Sequence, residues 1–202
     1  MASRREFLQL GMAALALPIS VHPPFSSTPP MKPASDTSVG LYKAVFDERF
    51  SESVAFAYEV KALGKPVVHG IKGDITDLWF HELHARWKRE PVAVAGLTGH
   101  GAVFCLERLA WDHRMRVVYR GEHQRLPDGG MQHLLSGPPS MLREAENLSV
   151  SGADWPKLIA RLVTRCPVVR PRATTTTIVS AATARTDKSD PLISWVIAPR
   201  MA

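Results

Sequence analysis

The sequence predicts an α/β fold: one three-layer domain on a mostly parallel sheet of Rossmann-like βαβ units, with an irregular C-terminal extension. Three observations lead there. Between residues 42 and 119, short apolar runs alternate with amphipathic stretches of about 10–15 residues, the rhythm of parallel βαβ units. One run, 91–97 (PVAVAGL), is apolar throughout, as a strand covered on both faces must be. Of 202 residues, 45% are hydrophobic and 22% charged, which is globular composition and excludes wholesale disorder or a fibre. The two cysteines exclude a disulfide scaffold and a four-thiolate zinc site.

Taken in order, 42–46 is a short strand that ends in Asp47-Glu48-Arg49. In 51–63, Phe56, Val60 and Leu63 fall at helical spacing, with Ser51 as N-cap and Gly64 as stop. A second strand covers 66–71. A helix starts at Asp74 or Thr76, with Phe80, Leu83 and Trp87 as its buried face, which leaves Trp79 over. Gly99-His100-Gly101 leads from the third strand into a helix through about residue 113, whose Val103, Leu106 and Ala110 are buried and whose Trp111 is left over. Residues 116–119 (RVVY) form a fourth strand. Beyond residue 124, 127–130 (PDGG) is a turn, and 131–135 and 140–146 read as short helices. Asp154 opens a helix with Leu158, Ile159, Leu162, Val163 and Cys166 on one side. Residues 174–180 (TTTTIVS) and 192–198 (LISWVIA) are rich in β-formers and are expected to pair with each other across a long polar connection.

The formal net charge is +6. Residues 1–33 carry Arg4, Arg5, Lys32 and Glu6; without them 22 basic and 18 acidic side chains remain. That mild excess includes Arg165, Arg170 and Arg172. It lacks the concentrated basic face and interleaved aromatics of a nucleic-acid binder, so no nucleic-acid partner is expected.

The N-terminus has its own pattern. Ser3-Arg4-Arg5-Glu6-Phe7-Leu8 precedes an apolar run of residues 10–19. That run is far short of the roughly 20 residues a spanning helix needs, and Pro18 interrupts it, so no stable transmembrane span is expected. Paired arginines, spacer, Phe and Leu resemble the twin-arginine signal. The resemblance implies export of a folded chain by the twin-arginine translocase, a periplasmic or extracellular destination, membrane-tethered where the signal is retained, and a larger partner subunit there. Residues 1–21 are thus read as a signal segment, 22–40 as a Pro/Ser-rich linker, and 41–202 as a single α/β domain.

In open α/β sheets ligands bind beyond the carboxyl ends of the strands. Those ends offer Asp47 and Arg49, then His69, then Thr98, Gly99, His100 and Gly101, then Arg120, Glu122 and His123, all expected on one rim as a ligand-binding site. A glycine-rich turn at a helix N-terminus exposes backbone N–H groups to an anion, although Gly96-x-x-Gly99-x-Gly101 is neither a dinucleotide fingerprint nor a P-loop. Seven of the eight histidines lie between residues 69 and 133, but their spacing matches no standard metal site, and none is assigned. Two function classes follow: an exported accessory or ligand-binding subunit, or a small hydrolase or metal-assisted enzyme using His100, His123 and Cys105 on the same rim. In an oxidising compartment Cys105 and Cys166 could also bond to each other.

Overall fold

The computed structural model describes residues 38–64, 66–167, 174–180 and 190–200, all within the unit Asp36–Ala202. The signal segment, nearly all of the linker, Arg170 and Arg172 lie outside the described residues.

Among the described residues seven strands form one mixed sheet. They are β1 (Leu41–Asp47), β2 (Val67–Ile71), β3 (Ala93–Gly99), β4 (Met115–Arg125), β5 (Met131–Gly137), β6 (Thr174–Ser180) and β7 (Leu192–Pro199). Their spatial order is β2-β1-β3-β7-β4-β5-β6. The α/β class holds, but the expected mostly parallel layout does not. Only β1–β2 and β1–β3 are parallel; the other four pairings are antiparallel.

The cause is β7, which enters the middle of the sheet between β3 and β4. Its residues Leu192 to Ala198 are all buried, and only the centre of a sheet with helices on both faces can hide such a strand. The Thr-rich β6 is polar and exposed along most of its length and takes the edge beside β5. So β6 and β7 do not pair with each other, and the C-terminal region is no irregular extension but supplies a central strand. Because β7 opposes both β3 and β4, β4 runs in the same sense as β1–β3. The carboxyl ends of β1, β2, β3 and β4 therefore still share one edge.

Among the described residues six α-helices flank the sheet: α1 (Ser51–Ala62), α2 (Thr76–Leu78), α3 (His84–Arg89), α4 (His100–Trp111), α5 (Pro139–Glu144) and α6 (Trp155–Thr164). One face packs Ala44, Ala95 and Val196 against Phe56 and Val60 of α1 and Ile159 and Val163 of α6. The other packs Val45, Val94 and Trp195 against Leu83, Trp87 and the Val103–Leu106–Ala110 stripe of α4. Alternate strand residues thus serve opposite cores.

Two local departures decide which side chains face outward. A π-helical turn, Trp79–Leu83, joins α2 to α3. Its extra residue shifts the helical phase, so Trp79 is buried and Phe80 is 69% exposed. In β4 the register against β7 shifts between Val117 and Tyr119. This bulge leaves Val117 in one core and Val118 and Tyr119 in the other. The run at 131–135, read as helical, is strand β5, joined to β4 by a turn in which Leu126 N–H donates to Gly130 C=O at 2.8 Å. Among the described residues no helix is long and apolar enough to cross a membrane.

Candidate functional site

The first rim cluster is built on Asp47, the fully buried last residue of β1. Arg49 Nε and Nη2 donate to its two carboxylate oxygens at 2.9 and 2.8 Å, and Arg49 N–H donates at 3.2 Å. Gly99 N–H at the mouth of α4 approaches at 3.5 Å. Burial alone would raise the Asp47 carboxyl's pKa, but these hydrogen bonds and the Arg49 charge outweigh it and hold the group below its ordinary value. Ser53 of α1 locks the corner: its hydroxyl accepts from Asp47 N–H at 2.7 Å and donates to Leu97 C=O.

The glycine-rich turn divides by role. A Cβ on Gly96 would lie 2.5 Å from the Trp195 ring and 2.7 Å from Val45 O, so this glycine makes room for a core tryptophan. Trp195 Nε1 in turn donates to Thr98 Oγ1 at 3.1 Å, which places the Thr98 side chain in the core. Gly99 lies under Arg49, whose Nη2 would stand 3.3 Å from an added Cβ. Gly101 alone opens onto free space, and His100 beside it is exposed.

The fourth strand splits the remaining rim residues between faces. Arg120 and Glu122 are paired at 3.2 Å, with Glu107 of α4 at 3.8 Å from Arg120. His123 points the other way, into the opposite core. Leu192 pairs with both Gly99 and His123, so those two lie at one level of the sheet but two strand spacings apart, about 10 Å. His69 sits in mid-β2, where burial, then the nearby Lys43 ammonium, lowers its pKa. Lys43 itself donates to Glu82 at 2.7 Å, as does the Tyr42 hydroxyl at 2.6 Å. The structure therefore joins Asp47, Arg49 and Gly99, joins Arg120 and Glu122, and leaves His69, His100 and His123 in three different settings.

His123 belongs to a buried polar chain that includes three residues not anticipated from the sequence. Its Nδ1 lies 2.8 Å from Nδ1 of His133, its Nε2 lies 2.7 Å from Ser194 Oγ, and Ser194 donates to the Tyr119 oxygen at 3.2 Å. A neutral imidazole donates from one ring nitrogen and accepts at the other, so the four side chains form one continuous hydrogen-bonded run. The Trp155 ring covers both imidazoles at 4.6 and 5.4 Å. His133 Nε2 is buried without a partner. Burial pushes His133 down to about 4, and burial with the neighbouring His133 holds His123 well below its ordinary range. Both rings are neutral at pH 7. A Cβ on Gly121 would strike Ser194 Oγ at 2.5 Å, so this glycine makes room for the chain. Ser194 is itself fully buried, so its hydroxyl presents no surface to a substrate.

The hydrolase constellation does not assemble either. Cys105 is exposed on α4, Cys166 is buried in the core under α6, and both thiols are free, so they form no disulfide. Burial raises the Cys166 thiol to about 12. His123 lies across the sheet from Cys105. Among the described residues no group of three or more His, Cys, Asp or Glu side chains could hold a metal ion.

The outer face of α4 holds the most distinctive exposed feature. His100 stacks on Phe104, with centroids 6.0 Å apart and planes at 21°. The Arg108 guanidinium lies over Phe104 at 5.3 Å and over Trp111 at 4.4 Å. These residues follow at intervals of four, four and three, which puts them on one side of the helix. Phe104 is 47% and Trp111 45% exposed.

Fold and site define an α/β protein with a salt-bridged sheet edge, a closed histidine core and an exposed aromatic helix face. No protein-family model, no curated protein and no solved structure matches the chain.

Proposed function

We propose that this chain is a binding module, an accessory subunit of an exported assembly, that engages a larger partner with the outer face of α4. The observation that carries the reading is the stacked row His100–Phe104–Arg108–Trp111. Interfaces are enriched in aromatic residues and arginine, and rings already stacked on a helix lose little freedom on binding. The ligand-contacting part of the rim is the turn at Gly99–Gly101, where the row begins. Asp47 with Arg49, and Arg120 with Glu122, act as scaffold, since their charges meet one another. The parallel portion β1–β3 is the half of the sheet that brings this turn to the carboxyl edge. Export by the twin-arginine translocase, and hence a periplasmic or extracellular setting, rests on the Ser3–Leu8 resemblance.

The test is recovery of the tagged full-length chain from its native host under mild conditions, beside a Phe104→Ser/Trp111→Ser variant. Wild type is expected to co-purify in fixed stoichiometry with a larger subunit. The variant, with unchanged circular dichroism, is expected to lose it. A chain that emerges alone in both cases defeats the reading.

A further inference from the structure

We infer that the partner of α4 is a protein whose groove carries a carboxylate between two apolar pockets; this rests on the binding reading above and adds the partner's chemistry. The shape comes first. Small-molecule sites are concave, whereas the His100–Trp111 row is the crest of a helix, about 16 Å long at 1.5 Å per residue. A ridge of this kind is complementary to a groove, the helix-in-groove mode of protein recognition. The two exposed anchor rings, Phe104 and Trp111, are seven residues apart, so the pockets that receive them lie about 10 Å from each other.

The charge comes second. Arg108 lies between those rings and takes part in none of the ion pairs among the described residues. Arg49, Arg86, Arg120, Arg125, Arg161 and Arg165 each meet a carboxylate; Arg89, Arg114, Arg116, Arg143 and Arg200 share with Arg108 the lack of such a pair, but Arg108 is set apart by lying over two exposed rings. A cation–π contact uses the charge of the guanidinium, here 5.3 and 4.4 Å from the two ring centroids, and does not consume its N–H donors, which keep their planar fork. A carboxylate oxygen pair accepts that fork in bidentate fashion. Covering the rings at the same time removes water from the cation–π contacts and strengthens them. A polyanion is a poorer match: it wants several cations in a row, and this face offers one guanidinium between Glu107 and Asp112. The partner is therefore an acidic protein segment, with Asp or Glu flanked by apolar residues.

The test places a photo-crosslinking benzoylphenylalanine at Phe104 of the full-length chain in its native host and maps the captured peptide by mass spectrometry. Val150, also exposed and remote in sequence from α4, is the control position. Crosslinks specific to position 104, to a segment with a carboxylate among apolar residues, are expected. Adding Arg108→Gln is expected to cut their yield by about tenfold or more, the scale of a lost charged hydrogen bond. Arg108→Glu is expected to abolish them, and a lysine in place of the mapped carboxylate to restore them. No capture above the Val150 control overturns the docking reading itself. Capture that survives Arg108→Gln undiminished, or that maps to a segment without carboxylates, to lipid or to nucleic acid, overturns the acidic partner.

Discussion

Acidification is the perturbation that most directly probes the buried histidine pair. His133 is fully buried and faces Tyr119, Ser194 and Trp155 through His123 and the ring contacts, and among the described residues burial alone shifts it, with no carboxylate charge to compensate. Its folded value of about 4 lies below the ordinary 6.5, so the unfolded chain takes up a proton that the folded chain refuses. Stability is therefore full above pH 6.5 and falls as pH drops toward 4. For this one group the loss is about 2 kcal/mol at pH 5 and about 3 kcal/mol at pH 4, at 1.36 kcal/mol per unit. His123, shifted in the same direction, adds to it. The assay is urea unfolding at pH 7, 5 and 4, followed by the fluorescence of tryptophans that include Trp155, which lies against both rings. His69 and His113 are lowered as well, so the deciding quantity is the difference between wild type and a His123→Phe/His133→Leu variant. Between pH 7 and pH 4 the variant should lose less stability than wild type by about 3 kcal/mol or more. A wild-type curve flat across this window, or a slope that survives unchanged in the variant, refutes the closed neutral pair.

Three further outcomes can be checked. Gly96→Ala should destabilise by about 3 kcal/mol, because its methyl meets Trp195 and a backbone carbonyl, whereas Gly101→Ala, with open space around it, should be neutral or stabilising by up to about 1 kcal/mol; thermal melts of the two decide. Asp47→Asn should cost about 2–3 kcal/mol in urea denaturation, since the buried acceptor of the Arg49 fork loses its charge; an unchanged midpoint would show that the corner does not depend on it. Replacing Arg4 and Arg5 by lysine should leave a chain of unaltered circular dichroism in the cytoplasm, and fractionation that finds normal export would remove the twin-arginine reading.

Much of the fold was legible because burial leaves a local imprint. β3 and β7 are apolar runs and became buried strands, while α4 and α6 carry stripes of helical period. What was not legible was neighbourhood. Nothing in 192–198 says that it enters between two strands contributed some 70–100 residues earlier, and that insertion turns a parallel order into a mixed one. β5 was misread for a physical reason. Met131-Gln132-His133-Leu134-Leu135-Ser136 scores histidine as polar, and the run then looks helical. With His133 inside, Met131, His133 and Leu135 alternate strictly with Gln132, Leu134 and Ser136. The π turn hid Trp79 in a similar way, by displacing the phase that periodicity relies on. Of the site, Asp47 and Arg49 at the end of β1 and Trp111 as a surplus to the buried stripe of α4 were visible in the sequence; Ser194 and Tyr119 were not, since their roles exist only once β7 lies beside β4.

That polar chain also accounts for why β7 lies where it does. Tyr119 and His123 belong to β4, Ser194 to β7 and His133 to β5, so one run of hydrogen bonds crosses three adjacent strands. Side chains alternate faces along a strand, and a slip of one residue in any of the three would turn a member of the chain to the opposite face. Each abandoned partner would then be a buried polar group without a hydrogen bond, at about 1–3 kcal/mol apiece. An all-apolar core on this face would penalise such slips less sharply. The chain carries one unpaired atom, His133 Nε2, and with it a sensitivity to acid. In exchange it gives β7 a single register between β4 and β3, and that register sets Trp195 over Gly96, Leu192 beside Gly99, and the start of α4 at the sheet edge. The helix face proposed to bind is thus held in place by residues on the opposite face of the sheet.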